Sequence, residues 1–275
     1  MGTLPCHLPG LTGLPHARKV SRMRPPEVLL GNSDDVYDFY RAHRQNRFQA
    51  MGAYALLGRR YRPRVSYADG ARTAIRELVR ARTPLLIAVN HLSRLDPYTL
   101  AAAAWRSELR PVIGRTRVLA KDELFVEEKL RRRIDMMGGI PVFRGTDHGL
   151  RAVNAAGQRM MDICAERLAE GDSLAVFPEG TCNYVDPAQV QPVGTGIGHI
   201  AFRAVKHGVQ PALLCLGLSY GPRADPTVEP TKEEAKSASF HFTVPRTELP
   251  ARPAEIARLV RTDLQQALDG AVAGY

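Results

Sequence analysis

The sequence predicts an α/β fold, built from a single, mostly parallel sheet flanked by helices and preceded by an N-terminal amphipathic helical segment. Two observations predict this fold. Short, continuous apolar runs, which are typical of strands buried on both faces, alternate with longer segments of helical periodicity. The length of 275 residues suits one large domain, and neither an internal repeat nor a second domain boundary is visible.

The predicted organisation is a leader followed by one folded domain. Residues 1–31 hold five of the 20 prolines and no periodic apolar pattern, which indicates a flexible leader. The folded domain spans residues 32–275, with an amphipathic helical segment at 32–66 and an α/β core at 67–275. No apolar stretch approaches the roughly 18 residues that a membrane-spanning helix needs, and no secretory signal is visible.

The helical segment begins at residues that favour a helix N-terminus. Asn32 and Ser33 are common N-caps, and Asp34 and Asp35 suit the positive end of the helix dipole. Apolar side chains then recur at helical spacing, with arginines on other faces. The pattern fits either a helix packed on the core or a basic helix lying on a membrane surface. The apolar positions are Val36, Tyr40, Phe48, Met51 and Ala55.

The core alternates between helices and strands from residue 67 onward. Gly171 and Gly208 follow two helical patterns as C-terminal caps, and Pro253 suits the first turn of a closing helix. This alternation indicates a mostly parallel sheet covered on both faces. We predict helices at residues 70–82, 97–105, 149–170, 197–207 and from 253 onward, and strands at 84–89, 111–119, 173–177 and 212–218, with an outer strand at 237–244.

Charge and cysteine content narrow the functional classes. The net charge is +10. The window from Arg41 to Arg82 holds eleven arginines, and its only acidic residues are Asp69 and Glu77. Such a basic region indicates an anionic partner: a membrane surface, a nucleic acid or a phosphorylated substrate. The four cysteines form no C-x-x-C pair, so we expect neither a zinc site nor a disulfide framework, and no metal chemistry.

The most informative motif follows the strand at 84–89, where four residues separate His91 from Asp96. On a continuous helix, five steps would place these side chains about 140° apart. After a strand end, the chain can turn and bring the carboxylate back to one imidazole nitrogen. That contact would fix the tautomer and leave the other nitrogen free as a general base. The alternative is that Asp96, followed by Pro97, only caps a helix.

Two further motifs carry groups suited to substrate binding. FPEGT at residues 177–181 presents the Glu179 carboxylate and the Thr181 hydroxyl at the carboxyl edge of the sheet, where ligands bind in parallel sheets. GGIPVFRG at 138–145 surrounds Arg144 with flexible backbone, and a guanidinium offered by such a loop suits a phosphate. The simpler interpretation of FPEGT is a loop with no role in binding, and the simpler interpretation of Arg144 is an ordinary surface arginine.

Together these motifs resemble those of the PlsC-type glycerolipid acyltransferases, in order and in approximate spacing. The resemblance runs from about residue 85 to residue 218. It rests on the His91 to Asp96 motif, the segment ending at Arg144, and FPEGT at 177–181. AKDELF at 120–125 and QPAL at 210–213 are similar to the family's connecting segment and its fourth, hydrophobic block.

The resemblance implies transfer of an acyl group from acyl-coenzyme A or acyl carrier protein to a hydroxyl of a lysophospholipid or related lipid. His91 would be the general base and Asp96 would orient it. No tightly bound cofactor is expected, because the acyl thioester is a co-substrate. An anionic membrane surface would be a further partner, which implies a cytoplasmic protein that is peripheral on the cytosolic face. The residues expected to hold the acceptor are Arg144, Glu179, Gly180 and Thr181.

The chain departs from the family pattern at two places. The family usually has arginine after Glu-Gly-Thr, where this chain has Cys182. It commonly has a basic residue further on, where this chain has Gly194. These departures leave His91 and Asp96 intact and widen the expected acceptors to lipids without a phosphate.

A serine esterase is the first alternative from another class. GLSYG at 217–221 matches a nucleophile elbow, with Ser219 as nucleophile and His241 as the histidine downstream. The prolines after residue 221 disfavour the helix that an elbow requires.

The second alternative is a non-catalytic basic protein that binds nucleic acid or anionic lipid, with aromatic side chains of the arginine-rich window stacking on bases. This interpretation leaves the three motifs unexplained, so nucleic acid is not the expected partner. The aromatic residues concerned are Phe48, Tyr54, Tyr61 and Tyr67.

Overall fold

Seven strands form one sheet in the computed structural model, which describes residues 24–223, 225 and 227–275. The strands are β1 Arg64–Tyr67, β2 Leu85–Val89, β3 Thr116–Lys121, β4 Gly139–Val142, β5 Ser173–Val176, β6 Ala212–Ser219 and β7 Ser239–Phe242. Their order is β1-β7-β6-β2-β5-β3-β4, and all neighbours are parallel except β6 and β7. The predicted α/β class with a mostly parallel sheet is confirmed.

The helices follow the strands in alternation, as the sequence pattern predicts. They are α1 Ser33–Ala42, α2 Arg47–Arg60, α3 Ala71–Arg80, α4 Asp96–Trp105, α5 Glu128–Met136, α6 Gly145–His148, α7 Leu150–Ala169, α8 Gly196–Lys206, α9 Lys232–Ala235 and α10 Pro253–Ala273. Within the described part of the chain, no helix combines the length and apolarity needed to cross a membrane.

Both faces of the sheet are buried, which explains the continuous apolar runs. In β2, Leu86 and Ala88 join the core beneath α1, α7, α8 and α10. Leu85 and Ile87 point to the opposite core, beneath α3 and α4. Because successive side chains of a strand alternate between faces, a strand covered on both sides needs apolar residues at every position.

The N-terminal helical segment differs from the prediction of one helix. The chain breaks between α1 and α2, where His43 is extended and Asn46 caps α2 by accepting hydrogen bonds from Phe48 N and Gln49 N. The break changes the direction of the apolar stripe. Val36 is buried in the core, whereas the side chain of Phe48 is 90% exposed.

The two edges of the sheet also differ from the sequence-based expectation. Residues 139–142, interpreted as part of a flexible loop, form edge strand β4, in which Pro141 is tolerated because an edge strand leaves one side unpaired. The strand predicted as outermost, β7, lies second from the edge because β1 pairs with its free side. The strand predicted from residue 111 begins at Thr116, after a 3₁₀ turn at Arg110–Val112.

Residues 24–31, assigned to the leader from the sequence, pack against the core. Val28 is buried, and Arg131 Nη1 donates a hydrogen bond of 2.5 Å to the carbonyl oxygen of Pro26. The described chain is therefore packed several residues before the predicted boundary at residue 32. Residues 1–23, the rest of the predicted leader, lie outside the described residues.

A close approach between β6 and α10 gives a stability prediction. A Cβ added to Gly217 would overlap the backbone of Ala267, so the helix could not keep its position against the strand. We expect Gly217→Ala to lower the free energy of unfolding by about 3 kcal/mol, measured by urea denaturation. The matched control is Gly157→Ala in α7, where a Cβ meets nothing within 4 Å and improves helix propensity. Equal stability of the two variants would contradict the packing described here.

Candidate active site

The loop between β2 and α4 brings His91 and Asp96 together. His91 Nδ1 donates a hydrogen bond of 2.8 Å to Asp96 Oδ2. The same oxygen accepts from the backbone N–H groups of Leu92 (2.6 Å) and Ser93 (3.0 Å). Asp96 is completely buried, so these donors replace the water that an ionised carboxylate would otherwise need. The turn inferred from the sequence is the one the chain adopts.

Tyr220 completes the environment of Asp96 and was missed in the sequence. Its hydroxyl donates to Asp96 Oδ1 at 2.7 Å and lies 3.3 Å from Thr99 Oγ1. Burial raises the pKa of Tyr220 well above its usual range, so the hydroxyl keeps the proton that it donates. A signal was present: Tyr220 directly follows β6, whose carboxyl end lies beside that of its parallel neighbour β2.

The second imidazole nitrogen of His91 lies next to a thiol. Nε2 is 3.4 Å from Cys182 Sγ, and the ring stacks on Phe177 with 4.3 Å between centroids. Burial lowers the pKa of His91, but hydrogen bonds with Asp96 and Cys182 outweigh it and raise the pKa to about 10. These contacts with Asp96 and Cys182 therefore stabilise the charged imidazolium.

The FPEGT loop lies against His91, but Glu179 has its contacts within the protein. Its two carboxylate oxygens accept from His91 N (2.7 Å) and Gln191 N (2.9 Å), and burial raises its pKa. Gly180 follows with φ of +74°, a conformation that favours glycine, and Thr181 is exposed. In these contacts Glu179 positions the His91 backbone, and its assignment to substrate binding stays a prediction.

Arg144 lies beside the same loop. Its Nη1 donates to the carbonyl oxygen of Gly180 at 3.1 Å, while Nε donates to Asp147 Oδ2 at 2.9 Å. Arg144 thus lies at the rim of the site, where Asp147 is its carboxylate partner, and its role in holding the acceptor stays a prediction. The sequence motif gave no signal of Asp147.

A second missed group, Glu229, holds the cavity-lining residue Tyr184 by a hydrogen bond. Its carboxylate accepts from Ser93 Oγ at 2.5 Å and from Tyr184 Oη at 2.6 Å, and these hydrogen bonds lower its pKa against the opposing effect of burial. The surrounding sequence shows only proline-rich turns, so no motif could have found this residue.

A cavity of about 870 Å³ opens at these groups. His91, Cys182, Thr181 and Arg144 line it, and the volume lies within the range of about 300–1,000 Å³ that is usual for small-molecule sites. Much of the remaining wall comes from α4 and the segment after it. Those apolar residues are Leu100, Ala101, Ala104, Leu109, Val112 and Ile113. The site combines a polar mouth with an apolar interior.

No metal cluster accompanies the site: across the described ranges, no group of three or more His, Cys, Asp and Glu side chains is arranged to hold a metal ion.

The site holds a His–Asp pair at the carboxyl edge of a mostly parallel sheet, next to an apolar cavity. These features define a class of protein, and a comparison with protein families identifies that class. Residues 71–215, more than half of the chain, match the family described as Acyltransferase. The chain belongs to this family.

The fold is similar to the crystal structure of the 1-acyl-sn-glycerophosphate (LPA) acyltransferase PlsC from Thermotoga maritima. The TM-score is 0.51 with 17% sequence identity, over 86% of this chain and 80% of that chain. At this identity the likeness concerns the fold. A comparison with curated proteins gives no match.

The geometry does not favour the esterase alternative. Ser219 is buried, and its Oγ accepts from Gly221 N, while His241 Nδ1 lies 2.9 Å from Ser66 Oγ. Among the described residues, no helix follows Ser219 directly, since the next helix is α9.

The aromatic surface for stacking nucleic-acid bases is not formed either. Of the four aromatic residues concerned, Phe48 is exposed, but Tyr54 and Tyr61 are buried, and the Tyr67 hydroxyl donates to Glu108 at 2.5 Å.

The raised pKa of His91 predicts how stability depends on pH. The pKa of about 10 in the folded protein lies above the 6.5 of an unperturbed histidine. Its contribution to stability is therefore fully present below pH 6.5 and is lost as the pH rises toward 10. We expect the difference in free energy of unfolding between the wild type and His91→Gln to shrink over this window in urea titrations. An identical difference at pH 6.5 and 9.5 would contradict a stabilised imidazolium.

Proposed function

We propose that this chain transfers a fatty acyl group from an acyl thioester, acyl-coenzyme A or acyl carrier protein, to a hydroxyl of a lysophospholipid or related lipid. Membership of the acyltransferase family supports the reaction class. We extend this class to a lipid acceptor and a thioester donor on the basis of the site. The observation that carries it is the His91 Nδ1–Asp96 Oδ2 hydrogen bond of 2.8 Å at the mouth of the apolar cavity.

The His91–Asp96 pair suits general-base catalysis. Because Asp96 holds Nδ1, the proton-transfer work falls to Nε2, which faces the cavity mouth beside Cys182. In its neutral form His91 takes the proton of the acceptor hydroxyl, and the oxygen attacks the carbonyl carbon of the thioester. The tetrahedral intermediate then collapses, and the imidazolium returns the proton to the departing thiolate. Asp96 orients the ring and stabilises its charged form.

The rim of the site offers groups for the acceptor. Arg144 and the exposed Thr181 line the cavity together with Gly180. Two cations of the cavity lining have carboxylate partners: Arg144 with Asp147, and Lys121 with Glu123 at 2.5 Å. Since their charge is already partly balanced, the rim suits a hydroxyl-bearing head group with or without a phosphate. We propose no tightly bound cofactor.

The surface of α2 suits an anionic membrane. Phe48 and Leu56 are 90% and 68% exposed, and Arg59 and Arg60 near them on the helix are exposed as well. Exposed apolar side chains beside arginines allow a helix to bind anionic lipid at the interface. We propose that the protein works at the cytosolic face of a membrane, where its acceptor resides.

Removal of the base tests the mechanism. We expect His91→Ala to lower turnover by about 100- to 10,000-fold, because general acid–base catalysis contributes factors of this size. The measurement is acceptor-dependent thiol release from palmitoyl-coenzyme A, with lysophosphatidic acid and with monoacylglycerol as acceptors. Asp96→Asn should also lose activity, through the orientation of the ring. His207→Ala, at an exposed histidine after α8, is the matched control. Wild-type turnover in His91→Ala would refute the mechanism.

Membrane binding can be tested separately from catalysis. The double variant Phe48→Ser with Leu56→Ser should bind vesicles of phosphatidylserine and phosphatidylcholine about tenfold more weakly, because burial of apolar side chains contributes to interfacial binding. Sedimentation with vesicles gives the binding, and turnover on a micellar acceptor should stay the same. Val205→Ser, at a half-exposed valine of α8, is the control. Equal vesicle binding by the three proteins would place the membrane contact elsewhere.

A further inference from the structure

We infer that Cys182 is the first acceptor of the acyl group, so that the reaction passes through a thioester between the acyl chain and the enzyme. This inference deepens the proposed function and rests on it, because it needs the same acyl thioester donor. It differs from direct attack by the lipid hydroxyl in that the donor leaves before the lipid is acylated.

The geometry places a nucleophile, a base and an orienting acid in one line of contacts. Cys182 Sγ lies 3.4 Å from His91 Nε2, and His91 Nδ1 lies 2.8 Å from Asp96 Oδ2. A thiol next to an imidazole that a carboxylate orients is the arrangement that activates nucleophilic cysteines. Here the thiol contacts Nε2, the nitrogen that would otherwise receive the proton of the lipid hydroxyl.

The thiol is held in this position from both sides along the chain. Glu179 accepts from His91 N at 2.7 Å, and Asn183 N donates to the carbonyl oxygen of His91 at 2.7 Å. Residues on either side of Cys182 are thus bonded to the backbone of the histidine that its side chain meets. The loop therefore holds the backbone of Cys182 next to His91.

Access distinguishes Cys182 from the other described cysteines. Cys182 is partly exposed and lines the cavity, where an acyl thioester can reach it. Cys164 and Cys215 are buried, and burial raises the pKa of the Cys164 thiol to about 12 and that of Cys215 further. Such buried thiols are inert.

The charge that His91 can carry suits a nucleophilic thiol beside it. A protonated imidazole beside a cysteine stabilises the thiolate, which is the nucleophilic form. The pKa of His91, raised to about 10, has the hydrogen bond with Cys182 among its causes. The stabilised imidazolium is therefore placed beside the thiol that attacks the donor.

The first half-reaction exchanges one thioester for another. The Cys182 thiolate attacks the carbonyl carbon of the acyl thioester, and a sulfur–carbon bond forms. The bond from that carbon to the donor sulfur breaks, and the departing thiolate takes the proton of the His91 imidazolium. The products are acyl-Cys182, the free donor thiol and neutral His91. The step needs no oxidant or reductant.

The second half-reaction uses the nitrogen that the first one frees. Acylated Sγ no longer carries a proton, so neutral Nε2 accepts the proton of the lipid hydroxyl. The oxygen attacks the acyl carbon, the carbon–sulfur bond breaks, and the Cys182 thiolate returns beside the His91 imidazolium. One base therefore serves both steps.

Exchange without an acceptor tests the inference. Purified full-length protein is incubated with unlabelled acyl-coenzyme A and radiolabelled coenzyme A, with no lipid present. An acyl-enzyme predicts label in the acyl-coenzyme A, because the first half-reaction is reversible, whereas direct transfer predicts none. The donors are acyl-coenzymes A of short, medium and long chain, and the matching acyl carrier protein thioesters, for which the carrier protein carries the label. The same donors are assayed for transfer to lysophosphatidic acid and monoacylglycerol.

Variants and mass analysis locate the acyl group. We expect Cys182→Ala to lower exchange and transfer at least about 100-fold, and peptide mass spectrometry of the wild type to find the acyl group on Cys182, removable by neutral hydroxylamine. Cys182→Ser, which is close in size, guards against a fold defect. Cys6→Ala controls for chemical acylation of a cysteine outside the described residues and should keep full exchange.

Each outcome decides the matter. Exchange that depends on Cys182, with the acyl group on that residue, supports the inference. Transfer in the wild type without exchange, or exchange and transfer that survive in Cys182→Ala, overturns it and leaves the proposed function standing. If the wild type shows neither exchange nor transfer with any donor, the proposed function fails and the inference with it.

Discussion

The buried carboxylate of Asp96 is the constraint on which the site depends. A carboxylate without water is costly unless donors surround it, and here His91, Leu92, Ser93 and Tyr220 all donate to it. These donors come from the β2–α4 loop and from the end of β6. The shape of the loop and the orientation of the imidazole are therefore set together by one charge. Loss of that charge would therefore change the conformation of the loop as well as the chemistry.

The parallel sheet explains why these groups meet. The central strands β5, β2 and β6 are neighbours and run in the same direction, so the residues after each of them reach the same edge. His91 follows β2, the FPEGT loop follows β5, and Tyr220 follows β6. Asn90 adds a direct tie, because its side chain donates to the Leu218 carbonyl oxygen and accepts from the Leu218 N–H. The register of the parallel strands therefore decides which residues meet at the site.

Much of this arrangement could be predicted from the sequence, because it follows from patterns that are local. Buried strands show as apolar runs, and the turn that joins His91 to Asp96 follows from a strand end. The parts that could not be predicted depend on contacts distant in sequence. Neither the direction of the Glu179 carboxylate nor the Tyr220 contact has a local signal strong enough to decide between partners. Strand β4 was hidden because glycine and proline favour a loop unless an edge position is available.

The pairing of β1 with β7 sets an order for folding during synthesis. Arg64 pairs with Ser239, so the first strand of the described sheet has no strand partner until residue 239 has left the ribosome. At ordinary translation rates of about 5–20 residues per second, this delay lasts roughly 10 seconds or more. Tyr220, which belongs to the late part of the chain, reaches Asp96 in the same interval. The nascent protein thus carries an unpaired strand and an unfinished site together, and both are resolved only when the C-terminal strands and α10 dock.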